Sequence, residues 1–98
     1  MIMDIDTTTT KKYASFLSTP LRDVASLSQV PGVGTVTLGK LMTSGIKTPQ
    51  QLVGQFMVLN KDTDSMINWL RTACSVRSRE ADVIAEALLA KTERVGLM

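Results

Sequence analysis

A Pro-Gly-x-Gly sequence in the first half of the chain has the residue types of a phosphate-binding turn. It reads Pro31-Gly32-Val33-Gly34. Gly32 can adopt the positive φ that a tight turn requires, and Gly34 has no side chain to keep a phosphate away from the backbone. The N–H groups of residues 34–36 then open a predicted helix, whose dipole favours an anion. We therefore expect this turn to bind a phosphate.

Neighbouring residues fit the same chemistry. Val33 is expected to point into the core, and Lys40 lies about one turn into the helix, where it can reach a phosphate. Thr35 or Thr37 can add a hydroxyl donor. The alternative is a plain Pro-Gly helix break, in which the glycines serve only the turn. A single turn contacts few phosphates, so useful affinity requires a second basic element or a second copy.

Apolar residues recur at helical spacing along most of the chain, which predicts an all-α fold: a compact bundle of five to six short helices. No segment alternates with the period of a strand, so we predict no sheet. The predicted helices cover residues 11–19, 20–30, 34–44, 49–59, 63–74 and 78–94.

Helix-terminating residues support these boundaries. Gly45 is placed to cap the third helix. Thr48, Pro49 and Gln51 fit the N-cap, the first helical position and the capping-box partner of the fourth helix. Asp62 fits a cap at the start of the fifth helix.

Stripes at helical spacing predict the core. Met42, Met57 and Met66 lie on such stripes and are predicted to fill gaps in the core, and Trp69 is predicted to be buried rather than to stack on a base. The segment 85–91 is interpreted as an ordinary aliphatic helix. Other predicted core positions are Val24, Leu27, Val30, Leu38, Leu41, Leu52, Val53, Phe56, Ile67, Leu70, Ala73, Ala81, Ile84, Ala87 and Leu88.

Composition limits the function classes. Ninety-eight residues allow one domain, predicted over 11–96 after a flexible tail of residues 1–10. The chain has no His and one Cys, Cys74, which excludes an intrachain disulfide and predicts no metal site. We find no catalytic constellation and expect neither enzyme activity nor a cofactor. No apolar run is long enough to span a bilayer, so no membrane insertion is predicted.

Downstream of the turn, the run from Leu52 to Asp64, followed by Trp69-Leu70 and Cys74, resembles the barrier-to-autointegration factor family over about residues 9–76. The resemblance implies a SAM-like helical fold with one helix-hairpin-helix motif. It implies a homodimer that binds double-stranded DNA without sequence preference and bridges two duplexes. It further implies a chromatin and nuclear-envelope role in the nucleus, with some protein in the cytoplasm, and LEM-domain proteins, lamin and histones as partners.

The resemblance also implies roles for individual residues. The DNA-binding positions fall on Lys12, Gly32, Val33, Gly34, Thr35, Val36, Lys40, Arg77 and Arg79. The dimer interface falls on Val53, Gly54 and Met57, and the groove for LEM domains on Val58, Asn60 and Ser65. Asn60 replaces a basic residue of the family and Ser65 a leucine. Asp82 falls where the family has a second basic residue in the last helix, and a carboxylate there would repel phosphate.

Thr8, Thr9 and Thr10 occupy the place of a Thr/Ser cluster that is phosphorylated in the family. A phosphate there would add negative charge beside Lys11 and Lys12 and weaken DNA binding. The alternative is a flexible tail with no such role. For the whole chain, the alternative function is a helical protein-interaction adaptor that kept the fold and lost or weakened DNA binding, consistent with the low net charge of +2.

Overall fold

A computed structural model describes residues 11–95 of the chain. In this part of the chain there are five α-helices and two short 3-10 turns, and no strand. The all-α prediction is therefore confirmed. The helices are α1 (11–18), α2 (Thr35–Thr43), α3 (Pro49–Val58), α4 (Thr63–Ala73) and α5 (Ser78–Val95), and the two 3-10 turns are Leu21–Asp23 and Leu27–Gln29.

The connection from α2 to α3 forms as its capping residues predict. Gly45 has φ +97° and donates its N–H to the Met42 carbonyl, while Ile46 N–H reaches back to Leu41, which is the paired bond pattern of a Schellman cap. At the start of α3, the Thr48 side chain accepts from Gln51 N–H and the Gln51 side chain accepts from Thr48 N–H. Both caps predicted here are confirmed.

The turn between α3 and α4 is tight and uses left-handed backbone. Asn60 and Lys61 have φ of 62° and 57°, a region that costs non-glycine residues energy. Asp62 follows as the N-cap of α4, and its carboxylate accepts from Ser65 N–H at 2.9 Å. The predicted cap is confirmed, and the short turn sets α4 directly against the end of α3.

Residues 20–30 differ from the prediction of a second α-helix. They form the two 3-10 turns, separated by extended backbone at Val24 and Ser26. The Gln29 side chain accepts the N–H groups of Ala25 and Ser26, which an α-helix would have used. The buried positions in this segment recur every three residues, the period of a 3-10 helix. They are Leu21, Val24, Leu27 and Val30.

One apolar core lies under all five helices. It contains most of the predicted positions, Val33 among them, together with Phe16, Leu21, Cys74, Val76 and Ala85. Met66 is fully buried, as predicted, but Met42 and Met57 are 44% and 39% exposed, because they lie at the edges of their stripes. Ala73 is also exposed, and Trp69 is half-buried against the core.

The second half of α5 is not an ordinary aliphatic helix. Lys91 lies on its core-facing side with no exposed surface, and Thr92 is 6% exposed. The Thr92 hydroxyl donates to α5's own carbonyls at Leu88 and Leu89. Lys91 instead contacts α1, at the C-terminal end of that helix. In the described residues, no helix is both long and apolar enough to cross a bilayer.

Candidate nucleic-acid interface

The Pro-Gly sequence forms a type II turn. Val33 N–H donates to the Val30 carbonyl at 3.1 Å, with Pro31 at the second position and Gly32 at the third, where φ is +89°. Val33 is 1% exposed, so its side chain fixes the turn to the core as predicted. The turn joins the Leu27–Gln29 3-10 turn to α2 and forms the hairpin of the predicted motif.

Gly34 is the N-cap of α2 and is exposed. Its carbonyl accepts the first bond of the helix, from Leu38 N–H at 2.8 Å. The N–H groups of Thr35, Val36 and Thr37 precede that bond and lie at the open, electropositive end of α2. An added Cβ at Gly34 would meet nothing within 4 Å, and its φ of −96° suits any residue. Gly34 thus leaves open space in front of the helix N-terminus.

Gly32 is needed for space as well as for its φ. A Cβ there would lie 2.9 Å from Ile84 Cγ1 and 3.0 Å from the Glu80 carbonyl oxygen, both on α5. The turn therefore packs directly onto the first turns of α5. This contact brings the N-terminal ends of α2 and α5 together beside the hairpin.

Two lysines from distant parts of the chain contact the same region. Lys12 on α1 donates from Nζ to the Val33 carbonyl at 2.9 Å, and Lys40 on α2 donates to the Ser75 carbonyl at 2.8 Å. Partial burial lowers the pKa of the Lys12 ammonium. Each ammonium has three donors and uses one in these bonds, so each keeps donors for an anion.

Two arginines complete the positive charge. Arg77 precedes α5 and Arg79 lies in its first turn, and both are exposed. Ser75, which accepts from Lys40, has φ +61°, so the α4–α5 connection turns sharply just before the arginines. Among the described residues, none of the four bases is ion-paired with a carboxylate; the salt bridge there joins Arg22 and Asp23.

These groups line one cleft of about 610 Å³, which we call the hairpin cleft. All nine residues predicted to bind DNA line it, although they come from α1, the hairpin, α2, the α4–α5 connection and α5. The lining residues are Lys12, Pro31, Gly32, Val33, Gly34, Thr35, Val36, Thr37, Lys40, Arg77, Arg79, Glu80 and Val83.

Two lining residues were missed from the sequence. Val83 and Glu80 come from α5, and Val83 lies four residues after Arg79, a spacing that places both on one helix face. Glu80 Oε1 is buried and has no hydrogen-bond partner among the described residues. The hairpin cleft therefore holds four basic side chains and one carboxylate. Asp82, where a carboxylate was expected to repel phosphate, is exposed and does not line the hairpin cleft.

The residues predicted for the dimer interface do not all reach the surface. Val53 is 2% exposed and packs in the core of its own chain, because α3 turns it inward with Leu52 and Phe56. Gly54 is exposed, and a Cβ there would meet nothing within 4 Å. Gly54, Met57 and Val58 follow the i, i+3, i+4 spacing of one helix face. We call these three residues the α3 face.

Residues of the predicted partner groove lie at the end of α3 and the start of α4. Val58 is 74% exposed and Asn60 is exposed. The Ser65 side chain is bonded within its own helix start, because its hydroxyl donates to the Asp62 carboxylate at 2.6 Å. That bond and the Ser65 N–H hold the pKa of Asp62 below its usual value. Thr8, Thr9 and Thr10 lie outside the described residues.

Comparison of the sequence with known proteins identifies related proteins of one family. A sequence model of the family described as barrier to autointegration factor matches residues 7–95. The chain is 33% identical to the human barrier-to-autointegration factor over 76 residues, which cover 76% of this chain and 82% of the human protein. It is 27% identical to the Drosophila melanogaster protein of the same name over 73 residues, covering 74% and 80% of the two chains.

The family model thus spans nearly the whole chain, including the hairpin, the α3 face and α5. The human relative supports the same conclusion, because its 33% identity extends over most of both proteins. This chain belongs to the barrier-to-autointegration factor family.

Proposed function

We propose that this protein binds double-stranded DNA without reading base sequence, and that a homodimer bridges two duplexes. The observation that carries the proposal is the hairpin cleft: helix N–H groups and four basic side chains, none ion-paired within the described residues, around an exposed glycine. Backbone N–H groups and ammonium groups recognise phosphates, which every sequence presents alike. This predicts affinity that depends on salt more than on sequence.

Dimerisation through the α3 face would supply the second hairpin cleft that bridging requires. Gly54 leaves room for close approach of a second helix, and Met57, which is 39% exposed, gives it apolar surface. A two-fold dimer presents two hairpin clefts, so one dimer can hold two duplexes. Each duplex is then held by its own hairpin cleft, and the dimer interface links the two duplexes.

A role in chromatin and nuclear-envelope organisation, in the nucleus and the cytoplasm, is part of the same proposal and comes from the family. LEM-domain proteins, lamin and histones are its proposed partners. Val58 offers an exposed apolar contact for a LEM domain, whereas Asn60 lacks the family's charge and Ser65 is bonded to Asp62. We therefore propose that LEM-domain binding is weaker in this protein than in relatives that keep the basic residue and the leucine.

An adaptor function without DNA is the second candidate. Glu80 places a carboxylate in the hairpin cleft, and the exposed Val58 offers a surface for a protein partner. The two candidates differ in their response to salt. Protein contacts through an apolar helix face do not weaken steeply with added salt, whereas phosphate contacts do.

The discriminating experiment is titration of the protein with two labelled short duplexes of unrelated sequence at two salt concentrations, followed by fluorescence anisotropy. We expect equal affinities for the two duplexes and a steep loss of affinity at the higher salt. Absence of binding at low salt would contradict the proposal and favour the adaptor. A strong preference for one duplex would contradict recognition through phosphates alone.

A further inference from the structure

The buried ammonium group of Lys91 lies far along α5 from the hairpin cleft, yet it contacts the helix that carries Lys12. Lys91 Nζ donates to the Phe16 carbonyl at 2.5 Å and to the Thr19 carbonyl. It also lies 5.1 Å from the centre of the Phe16 ring. Lys91 therefore holds the C-terminal end of α1 by three contacts.

Those contacts suit the end of a helix. The last carbonyls of a helix have no partner within it, and the helix dipole makes this end electronegative. Burial lowers the pKa of the Lys91 ammonium, while two carbonyl oxygens and an aromatic face favour the charged form. The position has no exposed surface, and an apolar side chain would fill it without a desolvation cost. The ammonium differs from an apolar side chain because its hydrogen bonds to the two carbonyls are directional.

The orientation of α1 matters because the other end of this helix carries Lys12, which contacts the hairpin. Lys12 lies one turn before Phe16 and donates to the Val33 carbonyl of the hairpin. Apolar packing of Phe16, Tyr13 and Leu17 against the core is not directional, so it sets the orientation of α1 less sharply than hydrogen bonds do. The bonds to Lys91 fix the orientation of α1 at the end opposite Lys12.

We propose that Lys91 is a positioning residue for DNA binding: it fixes α1 from within the core and thereby places the Lys12 ammonium at the hairpin cleft. This inference rests on the proposed DNA binding of the hairpin cleft. It assigns a role to a residue that neither touches the hairpin cleft nor faces solvent. α5 then serves the hairpin cleft twice, directly through Arg79 and indirectly through α1.

A double-mutant cycle tests this role. Lys91→Met, Lys12→Ala and the double variant are compared for duplex affinity and for the slope of affinity against salt, at a temperature where circular dichroism shows each to be folded. Each single variant should lose about fivefold in affinity, the effect of roughly one hydrogen-bonded contact, and about 1 in salt slope. The double variant should lose no more than Lys12→Ala alone, because both changes remove the same contact.

Thr92→Val is the matched control. It removes a buried hydroxyl from the same part of α5, but the partners of that hydroxyl lie within α5 itself. Thr92→Val should leave the affinity and the salt slope unchanged. A loss in this variant equal to that of Lys91→Met would show a general effect of core stability and would overturn the positioning role.

If Lys91→Met does not fold, Lys91→Leu, which also removes the donor and keeps an apolar side chain in the buried position, replaces it in the cycle. The proposal is overturned if neither variant folds, because Lys91 then serves the fold itself. It is also overturned if a folded Lys91 variant binds like the unmodified protein, or if the two losses multiply. Absence of duplex binding by the unmodified protein would overturn both proposals, whereas binding with multiplied losses would overturn only this one.

Discussion

The hairpin cleft and the α3 face are both exposed, but they are completed in different ways. The hairpin cleft is concave and collects basic groups and helix N–H groups from five segments of one chain. The α3 face is a short apolar stripe, with Met57 39% and Val58 74% exposed. Folding of one chain is enough to assemble the hairpin cleft, whereas the α3 face buries its apolar surface only against another molecule.

This difference separates two steps of the proposed function. Binding of one duplex should depend on groups within one chain and on salt. Bridging should depend in addition on protein concentration, because it requires association through the α3 face. Substitutions in one region should therefore leave the other step intact, and the glycines of the two regions allow that independence to be tested with matched changes.

Gly34→Glu should have the largest effect. It places a carboxylate where a phosphate is proposed to lie, and like charges at close range should lower duplex affinity by roughly 100-fold or more. The fold should survive, because the site is open and its φ is ordinary. Anisotropy titration measures the loss. Gly34→Ala, which adds a Cβ without charge, is the control, and a folded Gly34→Glu variant that binds as tightly as Gly34→Ala would show that this is not the DNA site.

Gly54→Glu should break the dimer and leave the hairpin cleft intact. The added side chain has free space within the chain but would place a charge in a close helix contact. Sedimentation should show a monomer, and the affinity of each chain for a short duplex should change by less than about twofold, since surface changes elsewhere have small effects. Gly34→Glu should show the reverse pattern, with the dimer kept. An unchanged dimer in Gly54→Glu would remove the α3 face as the interface.

Gly32→Ala tests how the hairpin cleft is assembled. The change forces a positive φ on alanine and pushes its Cβ against Ile84 and the Glu80 carbonyl. The free energy of unfolding should fall by about 3 kcal/mol in denaturant titration. Gly45→Ala has a similar φ, +97°, but open space around it, and should cost about 1–2 kcal/mol. Equal losses would mean that packing of the turn onto α5 contributes nothing measurable.

Lys40→Ala should have the smallest effect. It removes one phosphate contact of several and the bond to the Ser75 carbonyl, so the salt slope should fall by about 1 for every sequence tested. Lys47→Ala, an exposed lysine outside the hairpin cleft, is the control and should leave the slope unchanged. Equal slopes for the two variants would exclude Lys40 from the contact.

Much of the fold follows from local signals. Thr48, Gln51, Gly45 and Asp62 define the helix ends through bonds to nearby backbone, which a sequence shows directly. The segment 20–30 was misassigned because its period of exactly three was interpreted as a helical stripe. The Gln29 side chain accepts two backbone N–H groups that an α-helix would have used, and the residue type alone does not predict these bonds.

The site could be predicted where the residues that act together are also close together along the chain. The hairpin and Lys40 follow from residue types and spacing, whereas Lys12, Arg77 and Arg79 stood out only as basic residues until the family resemblance assigned them to the site. Glu80 was missed because its place beside Gly32 depends on tertiary packing. Lys91 carried a usable signal, since it lies seven residues after Ile84 on the core stripe, but its partners on α1 lie more than 70 residues away.

The most direct test of bridging is the mass of the complex between the unmodified protein and a short duplex, measured by light scattering at low salt and with duplex in excess. We predict a particle of two chains and two duplexes, which Gly54→Glu should reduce to one chain with one duplex. A particle of two chains with a single duplex, or free protein alone, would contradict a dimer that carries one hairpin cleft per chain.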